Sequence, residues 1–238
     1  MNYAVLGDEQ VEQFLGQGHV KIDSCFEKGD IQDWIDLAFR RLGYQPDDAT
    51  TWTETKVHLP SINHIDVADF APKAWGAICD LMGGVDRIKI PVHWRDGFIM
   101  NFNLGADQPW QPPSPKVGGW HKDGDWFRHY LDSPEQGLLT VVLWDDIRPR
   151  SGGTFLATDS IAPIARYLAE HPQGLAPAEA KFGKFIDQCQ DFLEVTGEAG
   201  DVFLLHPYML HAASQNPSGF VRIITNPAVS FKEPMNFN

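Results

Sequence analysis

Apolar residues recur at two different spacings along this chain, and the change falls near Gly84. Ahead of it the spacing is three and four residues, the repeat of a helix with one buried face. Residues 8–15 begin with Asp8 as a capping residue and place Val11, Phe14 and Leu15 on one side, and Gly18 stops the run. Residues 31–42 repeat the pattern through Ile31, Trp34, Ile35, Ala38 and Leu42 and end at Gly43. Residues 69–82 do so again through Ala71, Trp75, Ile78 and Met82, with Cys79 beside them.

Beyond Gly84 the apolar runs are short, rich in β-branched and aromatic residues, and bounded by turn residues. Residues 87–91, 97–103, 137–144, 154–157, 202–205 and 220–225 predict strands, with helices between them at 161–170 and 178–188. Pro109, Pro112, Pro113 and Pro115 mark residues 104–119 as a loop. Helices first and many short strands after them predict a mainly β fold with flanking helices, a barrel or jelly roll. No linker is evident, so residues 1–238 are expected to form one domain, helical over about 1–85 and β over about 86–238.

Composition narrows the partners. With 43% hydrophobic residues, 12% aromatics and eight tryptophans, the chain can build a substantial core. A net charge of −13 argues against nucleic acid and anionic membranes and leaves a small molecule as the expected partner. No segment approaches the ~20 apolar residues of a membrane span. The N-terminal residues lack the basic and apolar stretches of a signal peptide. Three widely spaced cysteines without a CxxC predict neither a disulfide framework nor structural zinc. The reducing cytoplasm is the expected setting.

The most informative residues are Trp120-His121-Lys122-Asp123, read together with His211 and Arg222. In a strand, residues i and i+2 share a face, so His121 and Asp123 can reach one ion while Lys122 faces out. His-x-Asp with a distant histidine is the pattern of a two-histidine, one-carboxylate Fe(II) site with open positions. His206 and His211 both offer the third ligand. Five residues apart, they face opposite sides of an extended strand, so only one joins the site. His211 is favoured by the turn at Asn216-Pro217-Ser218-Gly219, because a hairpin there sets Arg222 opposite it, ~5 Å across. A guanidinium so placed suits the bidentate capture of a carboxylate. No metal-ligand role is expected for His19, His58, His64, His93, His129 or His171.

At these residues the chain resembles the phytanoyl-CoA dioxygenase family of Fe(II)/2-oxoglutarate-dependent oxygenases. The likeness runs through residues 9–20, Trp120-His121-Lys122-Asp123, Trp144-Asp145-Asp146, Ser151-Gly152-Gly153-Thr154, and residues 200–207 with His211, Asn216 and Arg222. It implies a double-stranded β-helix, iron held by His121, Asp123 and His211, and the distal carboxylate of 2-oxoglutarate held by Arg222. It also implies O2 as the oxidant, succinate and CO2 as co-products, and hydroxylation of a small molecule. A retained carboxylate ligand favours hydroxylation over halogenation. The chain departs from the family pattern at Ala213, where a serine is usual, at Val141, where an aromatic is usual, and over residues 157–160. Thr140 or Trp144 is therefore expected to supply missing 2-oxoglutarate contacts. Lys89 and Arg95 are candidates for the family's basic residue ahead of the His-x-Asp segment.

Around the site, Asp125 is expected either to support the ligands from behind or to face substrate, and Arg128 and His129 either to contact substrate or to lie on the surface. Trp110, Trp120, Trp126 and Phe127 are candidates for the pocket mouth, and the loop at 104–119 for a lid. Two rival classes remain: a non-catalytic barrel that senses a small molecule or metal, and a cupin-type metal-dependent isomerase. Neither turns over 2-oxoglutarate, and the isomerase leaves Arg222 without a task.

Overall fold

A computed structural model of the chain describes residues 3–236, so residues 1–2 and 237–238 of the expected domain lie outside it. The N-terminal region holds α1 (Asp8–Gln17), α2 (Gln32–Leu42), α3 (Val67–Phe70) and α4 (Pro72–Met82). Gly18, Gly43 and Gly83 end α1, α2 and α4 in the left-handed conformation that glycine adopts without strain. Asp8 is not the cap of α1. That place is taken by Gly7, whose N–H donates to Gln10 Oε1 at 3.1 Å. The helix expected at 69–82 is broken at Ala71, because Pro72 disfavours helical backbone in the residue before it.

The major sheet runs in the order β1 (His19–Ile22), β9 (Val202–Leu205), β6 (Leu138–Leu143), β11 (Arg222–Thr225), β5 (Ile99–Asn101) and β2 (Lys56–His58), with β12 (Ala228–Val229) also on β6. Facing it is a minor sheet of β10 (Leu210–Ala212), β7 (Phe155–Ala157) and β8 (Phe192–Glu194). A separate pair, β3 (His64–Asp66) and β4 (His93–Arg95), flanks the helices. The fold is mainly β, an antiparallel jelly roll with helices against one face.

Alternation along the central strands assigns the two faces of the major sheet. Leu138, Val142, Trp144, Val202, Leu204 and Ile223 join the core shared with the N-terminal helices. Leu139, Val141, Leu143, Phe203, Leu205 and Ile224 face the minor sheet, where Leu156 and Met209 meet them. Both faces are covered, which is why β6 and β9 read as unbroken apolar runs. A third cluster, including Ile164 and Leu168 of α5 (Ile161–Ala169), backs the minor sheet.

Several expected elements differ. Residues 87–91 form no strand. Val85–Arg87 is a 3-10 turn, Ile88 makes a single bridge to Phe231, and Ile90 stays exposed. The helix expected at 178–188 shrinks to the 3-10 segment Phe182–Gln188, where Gly183 lies so close to Trp120 O that a Cβ would sit 2.3 Å from it. The hairpin expected between His211 and Arg222 does not form. β10 pairs with β7 of the minor sheet, whereas β11 pairs with β5 and β6 of the major sheet. Asn216 anchors the crossing, with Nδ2 donating to the carbonyls of Asn101 and Phe220 at 2.8 and 2.7 Å. Among the described residues, no helix is long and apolar enough to cross a membrane.

Candidate metal centre

The two sheets diverge at one end around a cavity of about 570 Å³. His211 reaches it from β10, and the backbones of His121 and His211 exchange N–H···O bonds of 3.0 and 2.9 Å. His121 is therefore an isolated bridge on the edge of the minor sheet rather than part of the expected strand. The chain then bends, and Gly124, at φ 126°, turns it so tightly that a Cβ there would lie 2.5 Å from the His129 ring. The bend still brings Asp123 to the same side as His121. Asp123 Oδ1 lies 3.5 Å from His121 Nε2 and 3.3 Å from His211 Nε2. The ligand atoms of the three residues lie within 4.8 Å of one another.

The donor set fits a divalent cation. His121 Nδ1 is 2.8 Å from Gly119 O and His211 Nδ1 is 3.1 Å from Met209 O. A carbonyl only accepts, so each Nδ1 carries the proton and each Nε2 turns its lone pair toward the centre. His211 Nε2 is buried and meets no polar group but the Asp123 carboxylate, 3.3 Å away. Asp123 Oδ2 accepts from Asn226 Nδ2 at 2.8 Å, which orients Oδ1 toward the imidazoles. Burial pushes the Asp123 carboxyl up, but hydrogen bonds and charge from His121 and His211 outweigh it and hold it well below the usual carboxylate range. The hydrogen bond to Asp123 raises the proton affinity of His121 against its burial. A dication competes for the same lone pairs. His206, the other histidine considered, lies elsewhere: its Nδ1 accepts from Tyr208 N–H, and burial pushes its pKa down to about 4.

Arg222 faces the cavity from the opposite sheet. It is 2% exposed, its Nε donates to Gly152 O at 2.8 Å and its Nη1 to Ile99 O at 3.0 Å. Among the described residues it has no carboxylate partner, and burial pushes its pKa down to about 10. An unneutralised buried cation is costly unless an anion joins it. Arg222 and His211 thus converge across the gap between two sheets, not along a hairpin.

Thr140 and Trp144 do not reach the cavity. Both lie on the helix-facing side of β6. Thr140 Oγ1 donates to Pro227 O, and Trp144 donates to Thr225 Oγ1 within an aromatic cluster of Phe26, Trp34, Trp94 and Phe98. Val141, one residue away, is on the inward face and lines the cavity, as does Ala213. Two of the three departures from the family pattern thus replace larger or polar side chains on the cavity wall.

Lys122 turns inward rather than out. Its Nζ donates to Asp123 O at 2.9 Å and Gln136 Oε1 at 2.7 Å, beside the rings of Phe127, Phe182 and Tyr208. Burial brings its pKa down to about 7. Lys89 and Arg95 are exposed and away from the cavity, and Lys56, from β2, lines it alongside Lys122 and Arg222. Of the four aromatic candidates only Trp126 lines the cavity. Trp120, Phe127 and Trp110 are buried or half-buried in packing elsewhere. Arg128 is bound to Gly174 O, and His129 is buried. The loop at 104–119 is tied down by Gln215, whose Oε1 accepts from Gln111 N at 2.7 Å, and does not line the cavity. Asn226, Lys56 and His58 also line the cavity, although the sequence marks none of them for it. None lies in a recognisable motif, although Lys56 and His58 show the alternation of an edge strand. A larger cavity of about 690 Å³ lies between α2 and the region of Asp145 and Phe220, apart from the three metal-ligand candidates.

The family model described as phytanoyl-CoA dioxygenase matches residues 14–224. No curated protein matches significantly. Among solved structures, the chain is similar to the epimerase SnoN in complex with Fe3+, alpha ketoglutarate and nogalamycin RO, at 16% identity and TM-score 0.55, over 94% of this chain and 82% of that one. It is similar to EctD from S. alaskensis with bound Fe, at 19% identity and TM-score 0.55, over 97% and 78%. It is also similar to AviO1 from Streptomyces viridochromogenes, at 13% identity and TM-score 0.54, over 99% of each chain. At these identities the structural likeness speaks to the fold.

Proposed function

The chain belongs to the phytanoyl-CoA dioxygenase family, and from that premise we propose that it is an Fe(II)- and 2-oxoglutarate-dependent oxygenase that hydroxylates a small molecule. His121, Asp123 and His211 hold the iron, Arg222 holds the distal carboxylate of 2-oxoglutarate, and residues 1–238 act as one domain. The observation that carries this reading is a fully buried, unneutralised Arg222 in the same cavity as the triad. A metal site alone would suit a cupin-type isomerase. A buried guanidinium aimed into it needs an anionic co-substrate.

When bound, Fe(II) and 2-oxoglutarate supply the oxidising power: O2 is reduced, 2-oxoglutarate loses CO2 to become succinate, and oxygen is transferred to substrate. The chain's own residues do the positioning. Gly119 O and Met209 O fix the imidazole tautomers, and Asn226 fixes the carboxylate. With Nε and Nη1 held by backbone carbonyls, Arg222 has Nη2 left for a ligand and cannot swing away. Ile99, Val141 and Ile224 give the cavity an apolar wall that keeps water from the reacting groups.

The test is anaerobic loading with Fe(II) and 2-oxoglutarate, followed by O2 and measurement of succinate. We expect Fe(II)-dependent succinate formation, lost in His211→Ala and Asp123→Ala. Binding of 2-oxoglutarate without oxygen consumption would favour a sensor. Substantial succinate from Asp123→Ala would contradict its place as a ligand.

A further inference from the structure

The proposed cofactors use the charges deep in the cavity and leave a second set at its mouth. Lys56 and His58 project from β2, the edge strand of the major sheet. The register places Lys56 opposite Asn101 and Asn101 opposite Arg222, so all three share the inward face. His58, Ile99 and Ile224 form the next row on that face. Lys56 and His58 line the same cavity as His121 and Arg222. From the other side comes the segment that follows His121, itself bonded to the minor sheet, and it presents Asp125 and Trp126 to the same cavity. Trp126 is 60% exposed, a large apolar surface left open beside the site. Among the described residues, neither Lys56 nor Asp125 has an ion-pair partner.

Charge accounting selects the ligand. A dication, the Asp123 carboxylate, the Arg222 guanidinium and a doubly charged oxo-acid sum to zero formal charge. The mouth adds one cation, Lys56, and one anion, Asp125; Lys122 also lines the cavity but its ammonium is taken up by Asp123 O and Gln136 Oε1. A purely anionic substrate would leave Asp125 unanswered and would meet the field of a chain with net charge −13. A purely cationic one would leave Lys56 unanswered. A molecule carrying both charges answers each and is not repelled. A cavity of about 570 Å³ that also admits 2-oxoglutarate limits it to a compact size.

We propose that the substrate is a small zwitterion of amino-acid size. Its carboxylate is held by Lys56 and His58, and its cationic nitrogen by Asp125 and the face of Trp126. This inference rests on the oxygenase reading and names the substrate class of that same site.

The test uses anaerobic protein loaded with Fe(II) and 2-oxoglutarate. The probes are the free L-amino acids, their C-terminal amides, which lack the carboxylate, and their N-acetyl forms, which lack the cation. Binding is read by calorimetry and by tryptophan fluorescence, with Trp126→Phe as the optical control. We expect at least one free amino acid to bind and to change the fluorescence, with the change reduced in Trp126→Phe. The matching amide and N-acetyl form, and the variants Lys56→Met and Asp125→Asn, should each lose about tenfold or more in affinity, as for a lost charge-assisted hydrogen bond. The proposal is overturned if no free amino acid binds, if the singly charged forms bind as well, or if Lys56→Met weakens 2-oxoglutarate instead. Failure here with 2-oxoglutarate still bound tightly would sink the substrate class alone. Failure of 2-oxoglutarate to bind at all would sink the oxygenase reading beneath it.

Discussion

Replacing Arg222 with Met separates its role as an anchor from its role in the fold. The substitution leaves Gly152 O and Ile99 O without their donors, a cost of about 1–3 kcal/mol each. It also removes a buried guanidinium with no carboxylate partner, whose burial costs several kcal/mol. These effects oppose each other, so the ligand-free variant should melt within a few degrees of the parent. The ligand response should differ far more. At 100 times its Kd, 2-oxoglutarate stabilises the parent by about 2.7 kcal/mol, which for a chain of this length raises Tm by roughly 5–11 °C. Losing a desolvated charge-assisted contact costs about 2–4 kcal/mol, or roughly 30- to 1000-fold in Kd. At the same concentration the shift then falls to about 3 °C or less. The assay is anaerobic thermal melting with Fe(II) alone and with Fe(II) plus 2-oxoglutarate. A full 2-oxoglutarate shift in Arg222→Met would refute the anchor. Loss of the shift with Fe(II) alone as well would mean that the substitution had damaged the site itself.

Asn226→Ala frees Asp123 Oδ2 and should weaken Fe(II) binding about 10- to 100-fold, as removal of an outer hydrogen-bond partner does; a metal titration reads it, and unchanged affinity would dismiss the orienting role. Lys122→Met removes the donor to Asp123 O together with a buried ammonium that has no ion-pair partner among the described residues, so Fe(II) affinity should drop by about tenfold while Tm moves little. A large fall in Tm with unaltered metal binding would make Lys122 a structural prop instead. His206 is held neutral in the fold down to about pH 4 by burial and by Lys122, against a usual value of 6.5. The unfolded chain therefore binds the extra proton first, and stability should fall as pH drops from 6.5 toward 4, by at most about 1.4 kcal/mol per pH unit from this group. Chemical denaturation across that window should show a shallower slope in His206→Gln, and an equal slope would contradict the assignment.

Much of this protein was legible along the chain because it depends on local order. Helix faces at three- and four-residue spacing, glycines at 18 and 43, and the apolar runs of β6 and β9 follow from backbone geometry and burial, and they survive folding with small changes at their ends. The candidate metal triad was legible for a related reason. Two lie two residues apart, and the third carries the downstream pattern that marks the family. The chain alone did not contain which face of β6 looks into the cavity, and so Thr140 and Trp144 were misplaced, whereas the inward residue is Val141. A side-chain alternation of two has no sign until a neighbouring layer supplies one. Nor did it contain the crossing of residues 212–222 from one sheet to the other, because a turn signal states that the chain reverses and not which strand it meets next. Lys56, Asn226 and the inward turn of Lys122 were hidden for the same reason: each acts on residues far from it in sequence or across a bend, and such proximity is set by how the layers are stacked, not by any spacing in the chain.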